Sequence, residues 1–374
     1  MVLLVLSVAG VQWSSVTVTG ALLLVTVVLW IATDRMDRPR LQASPGLTAL
    51  DLPAFGVLAV HGFLVARQAV GEWDFWALWG LKGRVFFGKG AVDWTFLGDP
   101  HNWFQHPDYP LLLPLNYVFV AMQGNGWSDR WLGLITTLFG VSLVLVARDA
   151  LARELPRHLA ALAALAVAGV AASPWVGMAE APLVAFGATG LLMLREGRMP
   201  LGAVLLGLAA WTKNEGLSLI VAAAVGLLLV RRARDILRLW PAVLLPAPWL
   251  VLRVIHGLSG DLLPSAFQLA RVGMTLQAVM HHPPERPLLW AGLAAVFVVY
   301  VGSLRRERFL LAACTFQVVV YLCAYLFTPH EVEWHVGYSW ARLLDHVAVP
   351  LVFVAFTLAG RGISKEEPAS EPVK

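Results

Sequence analysis

Long apolar runs separated by short polar connections make up most of this chain. Each run is about 15 to 20 residues long, which is enough for an α-helix to cross a bilayer with modest tilt or local thinning. Eleven such runs lie near residues 16–33, 52–70, 131–147, 158–173, 181–194, 199–211, 216–230, 239–255, 287–303, 309–327 and 343–360. Residues 2–11 form a shorter apolar run. The pattern therefore predicts an all-α, polytopic transmembrane helical bundle with 11 or 12 spans, in which residues 1–360 form a single domain.

The overall composition supports this interpretation, because 58% of the 374 residues are hydrophobic and only 14% are charged. A soluble domain of this length does not have that balance. The sequence pI is about 9.3, but the positive charge is spread over short connections and does not form one patch. We therefore predict no nucleic-acid partner.

Basic residues collect in alternate connections, and cytoplasmic connections are the ones that retain Lys and Arg. This rule predicts one common cytoplasmic side for Arg35, Arg38, Arg40, Arg148, Arg153, Arg157, Arg195, Arg198, Arg231, Arg232, Arg234, Arg238, Arg305, Arg306, Arg308, Arg361, Lys365 and Lys374. The alternation requires that residues 109–122 lie in the outer interface without crossing. It predicts a protein integral to the cell (inner) membrane, with a cytoplasmic C-terminus and a polar, disordered tail at residues 361–374.

Two long connections on the predicted outer side, residues 71–130 and 256–286, interrupt the series of short ones. Long connections in compact proteins are usually functional or disordered. The first begins GEWDFWALWGLKGRVFF, and its mixture of aromatic and basic residues suits amphipathic helices in the headgroup layer. We therefore expect extracytoplasmic interfacial helices in this connection.

Glu72 and Asp74 stand where the second long apolar run has just left the membrane. Two carboxylates beside interfacial aromatic residues suit acid–base chemistry on a lipid-linked substrate. Two other interpretations stay open. Asp74 could only cap the aromatic helix by accepting backbone N–H bonds, and Glu72 could be an exposed interfacial charge.

Several motifs along the chain share the order and predicted sidedness of a known group. They are GEWDFW, HPDYPLLLPL, SPWVGMAEAP, AAWTKNEG and WHVGYSWARLLDHVAVP. Together they resemble the GT-C class of integral-membrane glycosyltransferases, particularly the family 39-like protein mannosyltransferase and aminoarabinose transferase relatives. Two positions depart from that pattern, since Asp108 follows Pro107 where relatives tend to have a second proline, and Glu180 stands where they often have Asp.

The resemblance implies a GT-C-like fold and transfer of a sugar from a polyprenyl-phosphate donor to an acceptor hydroxyl on the extracytoplasmic face. Transfer of this kind inverts the anomeric carbon. A carboxylate must take the proton of the attacking hydroxyl, and cations must stabilise the leaving phosphate. The matching position for the general base is Asp74, and Glu72 is the alternative base.

Lys213 and Glu215 lie at the outer end of an apolar hairpin. A lysine there can contact a lipid phosphate, although the sequence also suits an ordinary turn. Glu180 opens its helix on the same side. It can bind the acceptor, assist Asp74, or serve only as a helix N-terminal acid favoured by the helix dipole.

Arg342, Asp345 and His346 share one helix face where the last apolar run enters the membrane. Arg342 is the candidate clamp for the phosphate. The alternative is an interfacial side chain whose charged end reaches the headgroups.

Lys82, His106 and Asp108 complete the predicted substrate-binding set. A histidine beside an acid could suggest a metal, with other outer histidines as further ligands. However, the sequence contains no close-spaced ligand motif, and lysine and arginine alone can stabilise a leaving monophosphate. We therefore predict no obligatory metal or other cofactor.

A polytopic transporter or lipid flippase of the cell-envelope polysaccharide pathway is the alternative function. Such proteins need ionisable residues or broken helices near the membrane midplane, and His61 is the one clear candidate in this sequence. For the transferase, the predicted partners are a polyprenyl-phosphate sugar donor, a glycan, glycolipid or protein acceptor, and the surrounding lipids.

Overall fold

The computed structural model of the chain describes residues 1–34, 46–124, 126–260 and 267–366. These residues form α-helices, short 3₁₀-helices and one π-helical turn, and the described ranges contain no strand. The helices are α1 (Val2–Val8), α2 (Ser15–Asp34), α3 (Leu52–Arg67), α4 (Gly80–Lys89), α5 (Trp94–Gly98), α6 (Leu112–Gln123), α7 (Asp129–Ala152), α8 (Arg157–Ala171), α9 (Glu180–Arg195), α10 (Met199–Thr212), α11 (Glu215–Leu229), α12 (Ala233–Ile236), α13 (Trp240–Leu244), α14 (Ala247–Ile255), α15 (Ala270–His281), α16 (Pro287–Val299), α17 (Arg308–Leu326) and α18 (Val332–Glu366). The predicted all-α class is confirmed.

Every predicted apolar run coincides with helical structure, because backbone groups in a membrane must be hydrogen-bonded within their own segment. The run at residues 239–255 is divided between α13 and α14, which are joined at a bend of 51°. The helices long and apolar enough to cross a membrane are Ala49–Arg67, Asp129–Ala152, Arg308–Leu326 and Val332–Gly362, or five in all if the bent pair counts as one. The predicted number of 11 or 12 spans is not confirmed by this criterion and stays a prediction.

The core lies where small residues let helices approach closely. A Cβ atom on Gly202 of α10 would lie only 2.9 Å from the carbonyl oxygen of Gly190 on α9. Small residues at such crossings are typical of helix packing in membranes. Helix α18 packs against α8, α9, α16 and α17. In its most apolar stretch, 83% of the residues are buried. It is therefore the central helix of the bundle.

One end of the bundle carries ion pairs between connections that are distant in sequence. Arg195 binds the carboxylate of Glu307 at 2.7 Å and that of Glu154 at 2.5 Å. Arg361 binds the same two carboxylates. These connections thus lie at one end, as the alternation of basic residues predicts, while the membrane side they face stays a prediction. The basic residues Arg35, Arg38 and Arg40 lie outside the described residues.

The first long connection folds into α4, α5 and α6 around buried aromatic side chains. At its centre, Phe75 meets the edge of the Tyr117 ring with centroids 5.6 Å apart. The buried ring of Trp79 stacks on Tyr109 with centroids 5.3 Å apart. The second long connection contains α15, and its residues 261–266 lie outside the described ranges. Whether either connection lies at headgroup depth stays a prediction.

Helix α18 differs from its prediction at both ends. It begins at Val332 and not near residue 343, because polar side chains in its first turns are bonded to neighbouring elements. Ser339, for example, shares a hydrogen bond of 2.8 Å with Tyr325 of α17. At its other end the helix continues to Glu366. The first residues of the predicted tail are thus helical, and residues 367–374 lie outside the described ranges.

Candidate active site

Asp74 lies between α3 and the π-helical turn Phe75–Trp79, which continues into α4. Its carboxylate makes no capping bond to that turn, so the capping interpretation is not supported. Instead, the Tyr338 hydroxyl donates to its Oδ1 at 2.6 Å, and Arg342 Nη1 donates to its Oδ2 at 2.7 Å. The first outer connection is thereby joined directly to the central helix.

Arg342 is the residue that connects two parts of the site. Besides Asp74, its Nη1 lies 3.5 Å from Oε1 of Glu180. The guanidinium carbon stands 4.5 Å from the centroid of the Tyr338 ring and 5.7 Å from that of Trp175, which is the range of cation–π contacts. Two carboxylates and two aromatic faces thus fix the position of this one cation.

Lys213 forms the second cationic centre. Its Nζ lies 2.9 Å from Glu180 and 3.0 Å from Glu215. Burial alone would lower the pKa of Lys213, but the two carboxylates outweigh it and raise the pKa above its ordinary value. The turn that holds these residues is tight, because a Cβ atom on Gly216 would lie 2.3 Å from the backbone of Ala209.

Asp108 belongs to a second polar cluster next to the first. Asn214, the neighbour of Lys213, donates to its Oδ2 at 2.9 Å. Arg253 lies 3.9 Å from the same carboxylate, and the Trp249 indole donates to the backbone carbonyl of Asp108 at 3.4 Å. The predicted outer hairpin and the His-Pro turn therefore meet in the folded protein.

Lys82 is fully buried in α4, and its Nζ donates to the backbone carbonyl of His106 at 2.6 Å. His106 adopts a left-handed backbone with φ of 50°, which turns the chain at this point. Burial lowers the pKa of Lys82 to about 7, and the charge of Asp108 opposes that shift. The Nζ also lies 5.7 Å from the centroid of the Trp79 ring. Lys82 thus stabilises the His-Pro turn directly, which the sequence did not indicate.

Glu72 is half-buried. Its backbone carbonyl accepts from the amides of Phe75 and Trp76, but its carboxylate makes no hydrogen bond or ion pair among the described residues. Burial, followed by the charge of Asp74, raises its pKa above the ordinary value. The two candidate bases therefore differ, since Asp74 is held by two donors and Glu72 is not.

Asp345 and His346 turn away from Asp74 to other partners. Asp345 accepts from Arg286 at 2.5 Å, and His346 Nδ1 lies 2.6 Å from the Tyr321 hydroxyl. Asp345 and Glu180 line a cavity of about 10 Å³, which has room for a single water molecule.

Three of these partners were not among the predicted site residues: Tyr338, Arg286 and Tyr321. Tyr338 could have been found, because it lies four residues before Arg342 and so shares its helix face. Arg286 and Tyr321 belong to other helices or connections, and no local pattern marks them.

Of the outer histidines that could serve as metal ligands, His281 and His282 share one carboxylate, whereas His101 is paired with another. His281 and His282 lie 3.3 Å and 3.1 Å from Glu333, and His101 lies 3.0 Å from Asp99. Within the described ranges, no group of three or more His, Cys, Asp and Glu side chains could hold a metal ion.

The all-helical fold has a counterpart among solved structures. It is similar to the crystal structure of ArnT from Cupriavidus metallidurans bound to undecaprenyl phosphate, with a TM-score of 0.56 and 19% sequence identity. The match covers 87% of this chain and 62% of that one, so this chain spans less than two thirds of the length of ArnT. No protein-family model and no curated protein matches the chain.

Proposed function

We propose that this protein transfers a sugar from a polyprenyl-phosphate carrier to an acceptor hydroxyl at the extracytoplasmic face of the inner membrane. One observation carries the proposal: four charged residues from four separate motifs form one continuous chain of ion pairs. Asp74 contacts Arg342 at 2.7 Å, Arg342 contacts Glu180 at 3.5 Å, and Glu180 contacts Lys213 at 2.9 Å. They do so in a fold similar to that of ArnT, whose structure holds undecaprenyl phosphate.

In the proposed reaction, the acceptor oxygen attacks the anomeric carbon on the face opposite the phosphate. The hydroxyl proton passes to the Asp74 carboxylate as the new C–O bond forms, and the bond between the anomeric carbon and the phosphate oxygen breaks. The products are an inverted glycoside and polyprenyl phosphate. Tyr338 and Arg342 keep the Asp74 carboxylate in one orientation, which places the base before the acceptor arrives.

The leaving phosphate needs positive charge, and the ion pairs restrict where it can come from. Lys213 and Arg342 face the three carboxylates of Asp74, Glu180 and Glu215. Lys213 therefore neutralises the carboxylates of Glu180 and Glu215. Arg342 keeps one free donor, since its Nε is buried without a hydrogen-bond partner among the described residues. We assign the phosphate contact to Arg342.

Lys82, His106 and Asp108 form the neighbouring part of the proposed substrate site. Asn214 joins Asp108 to the Lys213 turn, so this cluster and the base lie on two sides of the same hairpin. The proposal requires no metal, because arginine and lysine supply the positive charge. It places the His-Pro turn beside the donor headgroup.

The proposed topology has 11 or 12 spans, interfacial helices in residues 71–130, and a cytoplasmic C-terminus. Its support is the separation of charges along the bundle. The Asp74 cluster lies at one end of the bundle. The opposite helix ends, which we assign to the cytoplasm, carry the pairs that Glu307 makes with Arg195 and Arg361. The acceptor is a glycan, a glycolipid or a protein.

The direct test is transfer by purified protein in nanodiscs supplied with radiolabelled polyprenyl-phosphate sugars. We expect Asp74→Asn to lower kcat by about 10²- to 10⁴-fold, the usual contribution of a general base. Glu72→Gln is the matched control, because it removes a neighbouring carboxylate without breaking the contacts to Tyr338 and Arg342, and it should retain most activity. Turnover unchanged in Asp74→Asn would remove Asp74 as the base. Absence of transfer from every donor would favour the transporter or flippase.

A further inference from the structure

Four exposed aromatic side chains belong to the two segments that meet at Asp74. Trp73 and Trp76 flank it in sequence and are 70% and 44% exposed, and Trp334 and Tyr338 of α18 are 54% and 42% exposed. Tyr338 reaches Asp74 through its hydroxyl. Trp73, Trp76, Trp334 and Tyr338 are called the aromatic surface below. It is built from two distant segments and adjoins the candidate base.

The α18 half of the aromatic surface is held in a fixed geometry. The rings of Trp334 and Tyr338 are parallel within 1°, with centroids 5.7 Å apart, as residues four apart on a helix allow. Arg342 lies over the Tyr338 ring, and the bond to Asp74 fixes that ring's hydroxyl. Rings fixed in this way lose little conformational freedom when a ligand binds.

Polar side chains border the aromatic surface on its other side. Glu333, next to Trp334, lies within 3.3 Å of His281 and His282 at the end of α15. The close approach of α15 depends on Gly337, where a Cβ atom would lie 2.8 Å from the His282 ring. Carboxylate and imidazole groups therefore lie close to Trp334, whose ring also meets the rings of His330 and His335.

A pyranose ring matches this combination of groups. Its C–H faces can pack on the electron-rich faces of aromatic rings, while its hydroxyls can bond to bordering carboxylate and imidazole groups. An acyl chain would contact only the rings and would make no hydrogen bond to the polar border. Tryptophans that only anchor a protein at the interface need no such border and no contact with a buried carboxylate.

We propose that the aromatic surface binds a sugar ring of the acceptor, so that the hydroxyl presented to Asp74 belongs to a carbohydrate and not to a protein side chain. This inference rests on the proposed function for the role of Asp74, but the binding of a sugar can be measured without turnover. Trp334 is the residue on which the inference depends most, because its exposed ring stacks on Tyr338, whose hydroxyl binds Asp74.

The binding test uses saturation-transfer NMR on the protein in nanodiscs, with the methyl glycosides of glucose, galactose, mannose and N-acetylglucosamine as probes. We expect at least one probe to bind, about tenfold more weakly to Trp334→Ala, and with most affinity retained in Trp334→Phe. Trp240→Ala is the matched control, since Trp240 is 64% exposed on α13, among helices assigned to the other end. Binding to none of the probes, or equal binding to Trp334→Ala, would overturn the inference.

The transfer test separates this inference from the proposed function. Where transfer is seen, Trp334→Ala should raise KM for a glycan acceptor about tenfold and leave KM for the lipid donor unchanged. Transfer to a serine-containing peptide that is insensitive to Trp334→Ala would also overturn the inference. If no donor supports transfer, the proposed reaction fails, and the NMR result alone decides whether the aromatic surface binds sugar.

Discussion

Tyr338 donates its phenolic hydrogen to Oδ1 of Asp74 across 2.6 Å, while Arg342, one helical turn further along α18, binds Oδ2. Both donors lie on one face of a helix whose other contacts are with the bundle core. The position of the candidate base is thus set by the central helix and not by the connection that carries it.

Removing the Tyr338 hydroxyl should therefore leave the Asp74 carboxylate less firmly oriented without removing a charge. We expect Tyr338→Phe to lower kcat roughly ten- to hundredfold, which is the usual effect of losing one hydrogen bond to a charged group. KM for the donor should change little. The control is Tyr325→Phe, which loses a similar bond to Ser339 away from Asp74. An equal loss of kcat in the two variants would show that a hydroxyl bond in this region has only a structural effect.

The Glu180–Lys213 pair supports a second prediction. Both side chains are buried and their charged atoms lie 2.9 Å apart. Lys213→Met leaves Glu180 with only the 3.5 Å contact to Arg342, and Glu180→Gln leaves Lys213 with only Glu215. Each variant breaks a buried ion pair and should lower the free energy of unfolding by about 3 kcal/mol, the lower end of the range for such a loss.

The double variant measures how strongly these two residues are coupled. It should lose less stability than the sum of the single variants, because Glu180 and Lys213 then no longer leave each other's charge without its partner. Glu215 loses its contact with Lys213 in Lys213→Met and in the double variant alike. Chemical unfolding in detergent, followed by tryptophan fluorescence, measures all four proteins. Strictly additive losses would mean that Glu180 and Lys213 stabilise the protein independently.

The sequence predicted the positions of the helices well, because apolar runs in a membrane have few alternatives to helix. It also selected Asp74, Glu180, Lys213 and Arg342, which the fold brings together. Their pairing follows from the packing of α9, α11 and α18, and no hydropathy pattern encodes that packing. The start of α18 was missed for the same reason, since its polar residues are satisfied only by other helices.

Side chains that bind backbone atoms were the hardest to interpret. Lys82 stays a predicted substrate contact, but the sequence did not indicate that it also donates to the carbonyl of His106, whose backbone has positive φ. The Arg286–Asp345 pair joins residues 59 positions apart. A sequence shows that such groups must be satisfied but does not show by which partner.

Lys82 also predicts a dependence of stability on pH. Its pKa is about 7 in the fold, against 10.5 ordinarily, because burial disfavours the charged form. Between these values the unfolded chain binds more protons at this position than the folded chain does. Stability relative to Lys82→Met should therefore rise as the pH increases from about 7 to about 10.

Thermal unfolding of wild type and Lys82→Met at pH 6 and pH 9 checks this sign. The unfolding temperature of Lys82→Met should exceed that of wild type by more at pH 6 than at pH 9, because wild type buries a charged lysine at pH 6. Lys89→Met is the control on the same helix, where the side chain is 45% exposed. If the unfolding temperatures of wild type and Lys82→Met differ by the same amount at both pH values, burial does not lower the pKa of Lys82.

The orientation of the bundle predicts which side of the membrane the candidate site faces, and labelling can test it. In a background without Cys314 and Cys323, we expect His101→Cys to react with a membrane-impermeant maleimide on intact cells, and Leu237→Cys to react only after permeabilisation. The side chain of His101 is 94% exposed in the first long connection, and Leu237 is 80% exposed beside the basic residues that follow α11. Arginine-rich connections resist export, so the Leu237 side should face the cytoplasm. The reverse labelling pattern would place Asp74 with the cytosolic connections, where the proposed extracytoplasmic reaction could not occur.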